Sequence, residues 1–273
     1  MTSSATRLPS LFISHGAPNM ALTENEAREF MSHLARRYPK PKAIVICSAH
    51  FETSGPAVVT NQNPGMIYDF GGFERELYEI TYPAPGEPGL AGRVASMIEA
   101  AGLPVQRLPD RGYDHGTWVP LSLIYPDADV PVVQVSIDPN ETPQYHYKLG
   151  MALSELAEEN ILLVGSGNIT HNLEVFFSRG DTKDLAERMP VLVDEFVDWM
   201  DQKMSAGEID ALLDYRAQAP HAVENHPTDD HLLPLYFSIG TAGNGFTAEK
   251  IHDSTQFGFL AMDAYEFRQP AAS

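Results

Sequence analysis

The chain of 273 residues has room for one large α/β domain or two small ones, and 43% apolar residues with 10% aromatics supply a substantial core. Its 18 basic and 37 acidic residues give a formal net charge of −19, which repels phosphate backbones and anionic lipid headgroups and sets nucleic-acid and membrane-surface partners aside. A single cysteine excludes an internal disulfide and a thiolate-rich metal site, and the lack of a leader-like N-terminus or a long apolar segment leads us to expect a soluble, cytoplasmic protein.

In chain order, SLFIS (10–14) reads as a buried strand followed at once by His15, with Gly16 and Pro18 to turn the backbone. KAIVICSA (42–49) is a second strand, carrying a buried, inert Cys47 and ending at His50. GPAVVT (55–60) is a third, GLAGRVASMIEAAG (89–102) has helical spacing, and VPVVQVSI (130–137) is again strand-like. YHYKLGMALSELAEE (145–159) reads as a helix, then NILLVGSG (160–167) as a strand whose Gly165 and Gly167 suit a sharp turn before His171. KDLAERMPVLVDEFVDWMDQKM (183–204) is helical, with a kink or break expected at Pro190. Strands alternating with helices, without a repeat or a dividing linker, predict one α/β domain over 1–273, its mostly parallel or mixed sheet covered by helices on both faces.

His15, His50 and His171 thus stand at or just beyond the carboxyl ends of predicted strands, the rim where open α/β sheets bind ligands. A lone histidine is more often structural or exposed, but a shared rim raises the weight of all three. His115 in YDHGTWVPL and His231 in HPTDDHLLPLY join them, whereas His33, His146, His221 and His252 sit in contexts that read as structural or solvated. Clustered imidazoles without thiolates suit zinc, iron, copper or nickel; spacing alone does not choose among them or name a reaction.

The motifs HGAP (15–18), SAHFE (48–52), IYDFGGFERELYEITYPAPG (67–86), DHGTWVPL (114–121), GSGNITHNL (165–173) and HPTDDHLLPLY (226–236) carry more specific information. In order and spacing they resemble the extradiol ring-opening dioxygenases of the DOPA-dioxygenase type. These are class III enzymes related to the catalytic subunit of protocatechuate 4,5-dioxygenase. The resemblance implies an enzyme that opens a catechol with O2 at a non-haem metal, giving a muconic semialdehyde. It implies His15, His50 and His231 as metal ligands and His171 as the acid/base, able to approach zinc as a fourth ligand. His115 would face substrate and oxygen, Tyr68 and Asp69 would line the substrate pocket, and His226 would take a substrate-side or outer-partner role. Asp230 and Asn172 are candidates to orient the imidazoles.

Fe(II) is the metal implied for activity. His231 stands where class III relatives place a glutamate, and an all-imidazole set binds zinc readily, so zinc can occupy the site in isolated protein. The implied partners are a catechol and O2, with the chain a monomer or small homo-oligomer. A divalent cation outweighs distant carboxylates inside the pocket, which favours neutral, zwitterionic or weakly acidic catechols, DOPA-like ones among them, over polycarboxylates. A zinc-dependent hydrolase and a noncatalytic metal-binding protein are the alternatives on the same scaffold. Around His231 the residues predict a turn at Pro227 and Thr228 and a helix beginning near His231, capped by Thr228 or Asp229, with His226 facing the substrate entrance or an outer partner without binding metal.

Overall fold

The computed structural model describes residues 7–177 and 183–269; the two ends of the expected 1–273 domain lie outside them. The strands are β1 (Ser10–Ser14), β2 (Ala43–Glu52), β3 (Ala57–Val59), β4 (Gln106–Leu108), β5 (Val132–Ile137), β6 (Ile161–Gly167), β7 (Thr247–His252), β8 (Thr255–Gln256), β9 (Leu260–Ala261) and β10 (Ala264–Arg268). One mixed sheet runs β4-β3-β5-β2-β6-β1-β10-β7, and β8 pairs with β9 separately. Its centre, β5-β2-β6-β1, is parallel. The flanks turn antiparallel where β3 meets β5, β10 meets β1 and β7 meets β10.

The helices are α1 (Glu26–Leu34), α2 (Pro88–Ala100), α3 (His115–Ile124), α4 (Pro143–Met151), α5 (Leu173–Phe176), α6 (Lys183–Ala206), α7 (Ile209–Leu213), α8 (Tyr215–Gln218), α9 (Ala222–Asn225) and α10 (Leu233–Ala242). They cover both faces of the sheet, so alternate residues of a central strand enter different cores and the strand reads as an unbroken apolar run. Ile44, Ile46, Leu162 and Val164 join the core of α1, α3 and α6, whereas Ala43, Val45, Cys47 and Leu163 join that of α2 and α4. Among the described residues, no helix is long and apolar enough to cross a membrane.

Three expectations change. β2 runs on to Glu52, through a register shift against β5 between Cys47 and Glu52, so His50 lies inside the strand. The 145–159 segment splits at Met151, and a 3-10 helix over Ser154–Glu159 follows, ending at Asn160 in the left-handed region. α6 continues through Pro190 without a break. Proline in a helix interior costs about 3 kcal/mol, and burial of Met189, Leu192, Val193, Phe196 and Met200, at about 1.5–3 kcal/mol per large side chain, outweighs it.

Gly165 and Gly167 also act differently from expectation. Both lie inside β6, and neither adopts a positive φ. Their missing side chains admit the chain around His231: a Cβ at 165 would stand 2.1 Å from Pro234 O, and one at 167 would stand 2.1 Å from His231 O. The backbone leading into α10 therefore lies directly on the strand. Gly167→Ala should displace the His231 backbone and cost about 1–3 kcal/mol, the usual range for overpacking, read by urea unfolding alongside metal content. An unchanged midpoint with full metal content would show that this close approach is dispensable.

Candidate metal centre and active site

The carboxyl ends of β1 and β2 and the segments after β6 and before α10 bring imidazoles together. His15 Nε2 lies 3.1 Å from His50 Nε2, which in turn lies 3.2 Å from His231 Nε2. Local structure sets each direction. Gly16, at φ +68, turns the chain immediately after β1, and its N–H donates to Asn168 Oδ1 at 3.0 Å. Asn168 N–H donates to His231 O at 2.9 Å, so one residue ties the His15 turn to the His231 segment.

Hydrogen bonds on the far side of the rings fix the tautomers. Ser166 Oγ donates its one hydrogen to Gly116 O, and therefore accepts from His15 Nδ1–H at 3.0 Å. His231 Nδ1–H meets the Asp230 carboxylate. In both rings Nε2 keeps its lone pair, and both lone pairs converge on His50 Nε2. Burial, then the neighbouring imidazoles, pushes the His15 and His50 pKa values well below the usual histidine range, leaving neutral donors. Burial opposes ionisation of Asp230, but its hydrogen bonds to His231 and to the Thr228 hydroxyl, with the His231 and His171 rings beside it, hold it well below the usual carboxylate range. Facing nitrogen lone pairs repel one another unless a cation sits among them, and neutral imidazoles suit a transition metal.

His115 and His171 flank these rings. His115 starts α3, with its ring 3.8 Å from that of His50. His171 follows the β6 loop, held by its backbone N–H to Asn225 O at 2.9 Å, and stacks on His231 at 3.5 Å with the planes 8° apart. Donor atoms of His15, His50 and His115 fall within 4.8 Å of one another, as do those of His171, Asp230 and His231. Burial, followed by His231 and His226, strongly lowers the His171 pKa, so His171 stands neutral.

Beyond His115 lies an aromatic wall. Phe70 packs 5.6 Å from the His115 ring, with Tyr68 and Tyr78 around it and Trp118 buried behind. Tyr68 OH donates to Ile80 O at 2.7 Å, which commits its hydroxyl to the chain and leaves the ring to pack. Asp69 lies between His50 and His115, its Oδ2 3.4 Å from His50 Nδ1 and 3.0 Å from His115 Nδ1.

The chain is similar to known proteins across almost its whole length. The model of the family described as the catalytic LigB subunit of aromatic ring-opening dioxygenase matches residues 9–267. The chain belongs to this family. A relative from Beta vulgaris, named 4,5-DOPA dioxygenase extradiol, is 37% identical over 94% of this chain and 95% of its own. One of the same name from Escherichia coli strain K12 is 38% identical over 87% and 86%. A crystal structure of an uncharacterized protein from Escherichia coli K12 superposes with a TM-score of 0.73 at 30% identity, covering 95% of this chain and 99% of that one. This LigB-family chain is an extradiol aromatic ring-opening dioxygenase, and it works with a metal cofactor.

Some expected roles do not match the geometry. His226 is fully buried among Phe196 and Tyr215, where its Nε2–H donates to Ile169 O at 2.7 Å. That bond turns it into the protein and away from a substrate entrance. Asn172 caps α5 and donates to Glu224 O at 2.7 Å, so it orients no imidazole. α10 begins at Leu233 without a side-chain cap, because the Thr228 hydroxyl serves Asp230 and the Asp229 carboxylate is taken by Tyr215 OH and Arg216. The Asp229 carbonyl receives the Leu232 and Leu233 amides in place of its side chain.

Other contributors were not singled out as site residues from the sequence. Asp114 caps α3 at Thr117 N–H, accepts from Ser48 Oγ at 2.7 Å and Gln134 Nε2 at 2.8 Å, and pairs with Arg111, which also donates to His50 O. Arg216 reaches the carbonyls of His226 and Pro227, clamping the segment that leads to His231. Ser166→Ala would strand His15 Nδ1–H in the interior, and equilibrium Co(II) titration should find metal binding weaker by about 10–100-fold, the range for outer partners of metal-bound histidines. Unaltered Co(II) affinity would separate Ser166 from the metal centre.

Proposed function

We propose that His15, His50 and His231 hold Fe(II), and that the enzyme opens a DOPA-like catechol. The observation that carries the ligand set is the approach of the three Nε2 atoms at 3.1 and 3.2 Å. The substrate class is supported by the names of the Beta vulgaris and Escherichia coli relatives and by Asp69, Asp230 and Glu52 around the cluster. Arg111, the guanidinium beside His50, is committed to Asp114 and to His50 O, which argues against recruitment for a polycarboxylate. A monomer or small homo-oligomer in a cytoplasmic setting completes the reading, the reduced, buried thiol of Cys47 being in keeping with that setting.

When bound, Fe(II) supplies a Lewis-acidic, redox-active centre for catechol and O2. The chain supplies the rest. His171, neutral and half-buried beside His231, accepts a catechol proton and later returns it. With Nδ1 turned to Asp69, His115 has Nε2 available to an oxygen on which negative charge develops. Phe70 and Tyr68 give the substrate ring an apolar face and exclude water. His226 supports the loop that carries His171 by holding Ile169 O.

Apoprotein reconstituted anaerobically with Fe(II), then given O2 and a panel of catechols, should develop the absorbance of a ring-opened semialdehyde. Zinc-loaded protein should remain inactive, and DOPA-like compounds should outperform dicarboxylated catechols. Activity restricted to zinc-loaded protein, or a preference for a dicarboxylated catechol across a salt series, would contradict the proposal.

A further inference from the structure

We propose that Asp69 is a positioning residue that sets the ring tautomers of His50 and His115 together, coupling a metal ligand to the substrate-facing imidazole. This rests on the ligand set proposed above. The loop carrying Asp69 is held beside the start of α3 by paired backbone bonds: Tyr113 N–H donates to Gly65 O and Ile67 N–H to Tyr113 O, each at 2.8 Å. From there Asp69 Oδ1 accepts the His115 backbone N–H at 3.0 Å. That bond fixes the carboxylate plane and directs Oδ2 at two imidazoles, 3.0 Å from His115 Nδ1 and 3.4 Å from His50 Nδ1. His115 Nδ1 is buried and has no hydrogen-bond partner, and Asp69 Oδ2 at 3.0 Å is the acceptor set beside it.

An ionised carboxylate only accepts hydrogen bonds, so it favours N–H at both Nδ1 atoms. Nε2 of His50 then keeps the lone pair that faces His15 and His231. The other two rings have acceptors of their own behind them, Ser166 for His15 and Asp230 for His231. Asp69 gives the third ring the same kind of support. Both carboxylate oxygens are therefore engaged by the chain, which separates this role from direct contact with substrate.

Asparagine at 69 provides a test that simple loss of structure would not mimic. Its Oδ1 can keep the His115 N–H, and that bond prevents an amide flip, which would set N–H against N–H. The amide nitrogen then points at the two Nδ1 atoms as a donor. It would favour the Nε2–H tautomer of His50, which has no lone pair for a metal. Alanine leaves the tautomer to solvent. The nearly isosteric Asp69→Asn should therefore be more harmful to metal binding than Asp69→Ala, the reverse of the order expected from packing.

Equilibrium Co(II) titration and the visible Co(II) spectrum read the site directly, and steady-state kinetics of Fe(II)-loaded enzyme with a DOPA-like catechol read its use. Asp69→Asn should weaken Co(II) binding by about 10–100-fold and alter the spectrum. It should lower kcat while KM stays within about twofold, with Asp69→Ala milder on both counts. Unchanged Co(II) affinity in Asp69→Asn, or a raised KM with kcat retained, would overturn the proposal, the second by showing direct substrate contact. Should Asp69→Asn fail to fold, weakened Co(II) binding by Asp69→Ala supports the role and full affinity refutes it. His50→Ala separates the two levels: normal Co(II) binding there defeats the ligand set itself, whereas its loss there with Asp69→Asn unaffected defeats only the role of Asp69.

Discussion

His50→Ala should lose its divalent metal on dialysis and lose ring-cleaving turnover by more than about 100-fold, beyond the range seen for outer partners of metal-bound histidines. His50 has the largest expected effect of the three proposed ligands because its Nε2 lies between the other two, 3.1 Å from that of His15 and 3.2 Å from that of His231. Its removal separates the remaining pair, leaving no compact set of three. His15→Ala and His231→Ala should follow the same direction. His115→Ala is the informative contrast, because donor atoms of His15, His50 and His115 also fall within 4.8 Å of one another. On the proposed assignment it keeps its metal and loses turnover, since its ring serves the substrate side. Metal analysis after dialysis decides, supported by the rise in unfolding temperature on adding Co(II), which tracks binding to the folded state alone. Full metal content in all three ligand variants, or loss in His115→Ala with retention in His231→Ala, would require a different set.

The residues that sequence reasoning located best are those whose signal is local. β1 was legible as SLFIS because a strand buried on both faces is an apolar run, and His15 was legible because it ends that run at a glycine turn. β7, with its partly exposed TAEKIH, and the three-residue β4 carry no such run. They are strands because a neighbour offers them a ladder, and that is a property of the assembled sheet. The same division holds within the site. HGAP, SAHF and DDHLLPL announce histidines, but nothing in GSGN shows that Ser166 holds His15, or that Gly167 is bare so that His231 O can approach. His226 marks the opposite error. It lies in a conspicuous motif, and only the fold shows that its N–H is given to Ile169 O. Asp229 is a plausible cap by sequence, but Arg216, distant in the motif order, takes its carboxylate.

The second large effect belongs to His171. His171→Asn should fold, retain Co(II) and lose ring cleavage by about 100- to 10,000-fold, the usual contribution of a positioned acid or base. Retention of the fold follows from its attachment, since the bond to Asn225 O is made by the backbone N–H and survives any change of side chain. Retention of metal follows from the stacked geometry. The His171 ring lies face to face with His231 at 3.5 Å, whereas His15, His50 and His231 bring their Nε2 atoms together. What asparagine cannot replace is proton affinity: an amide accepts a hydrogen bond, but it does not take up a proton near neutral pH. Burial and the adjacent imidazoles leave His171 unprotonated before substrate arrives, and the loss of its role should appear in kcat/KM as well as in kcat. Single-turnover mixing of the Fe(II)-loaded variant with catechol and O2 isolates the chemical step from product release. A rate within about twofold of the parent would assign the proton to another group. Loss of Co(II) together with activity would instead make His171 a fourth ligand, with its ring rotated out of the stack.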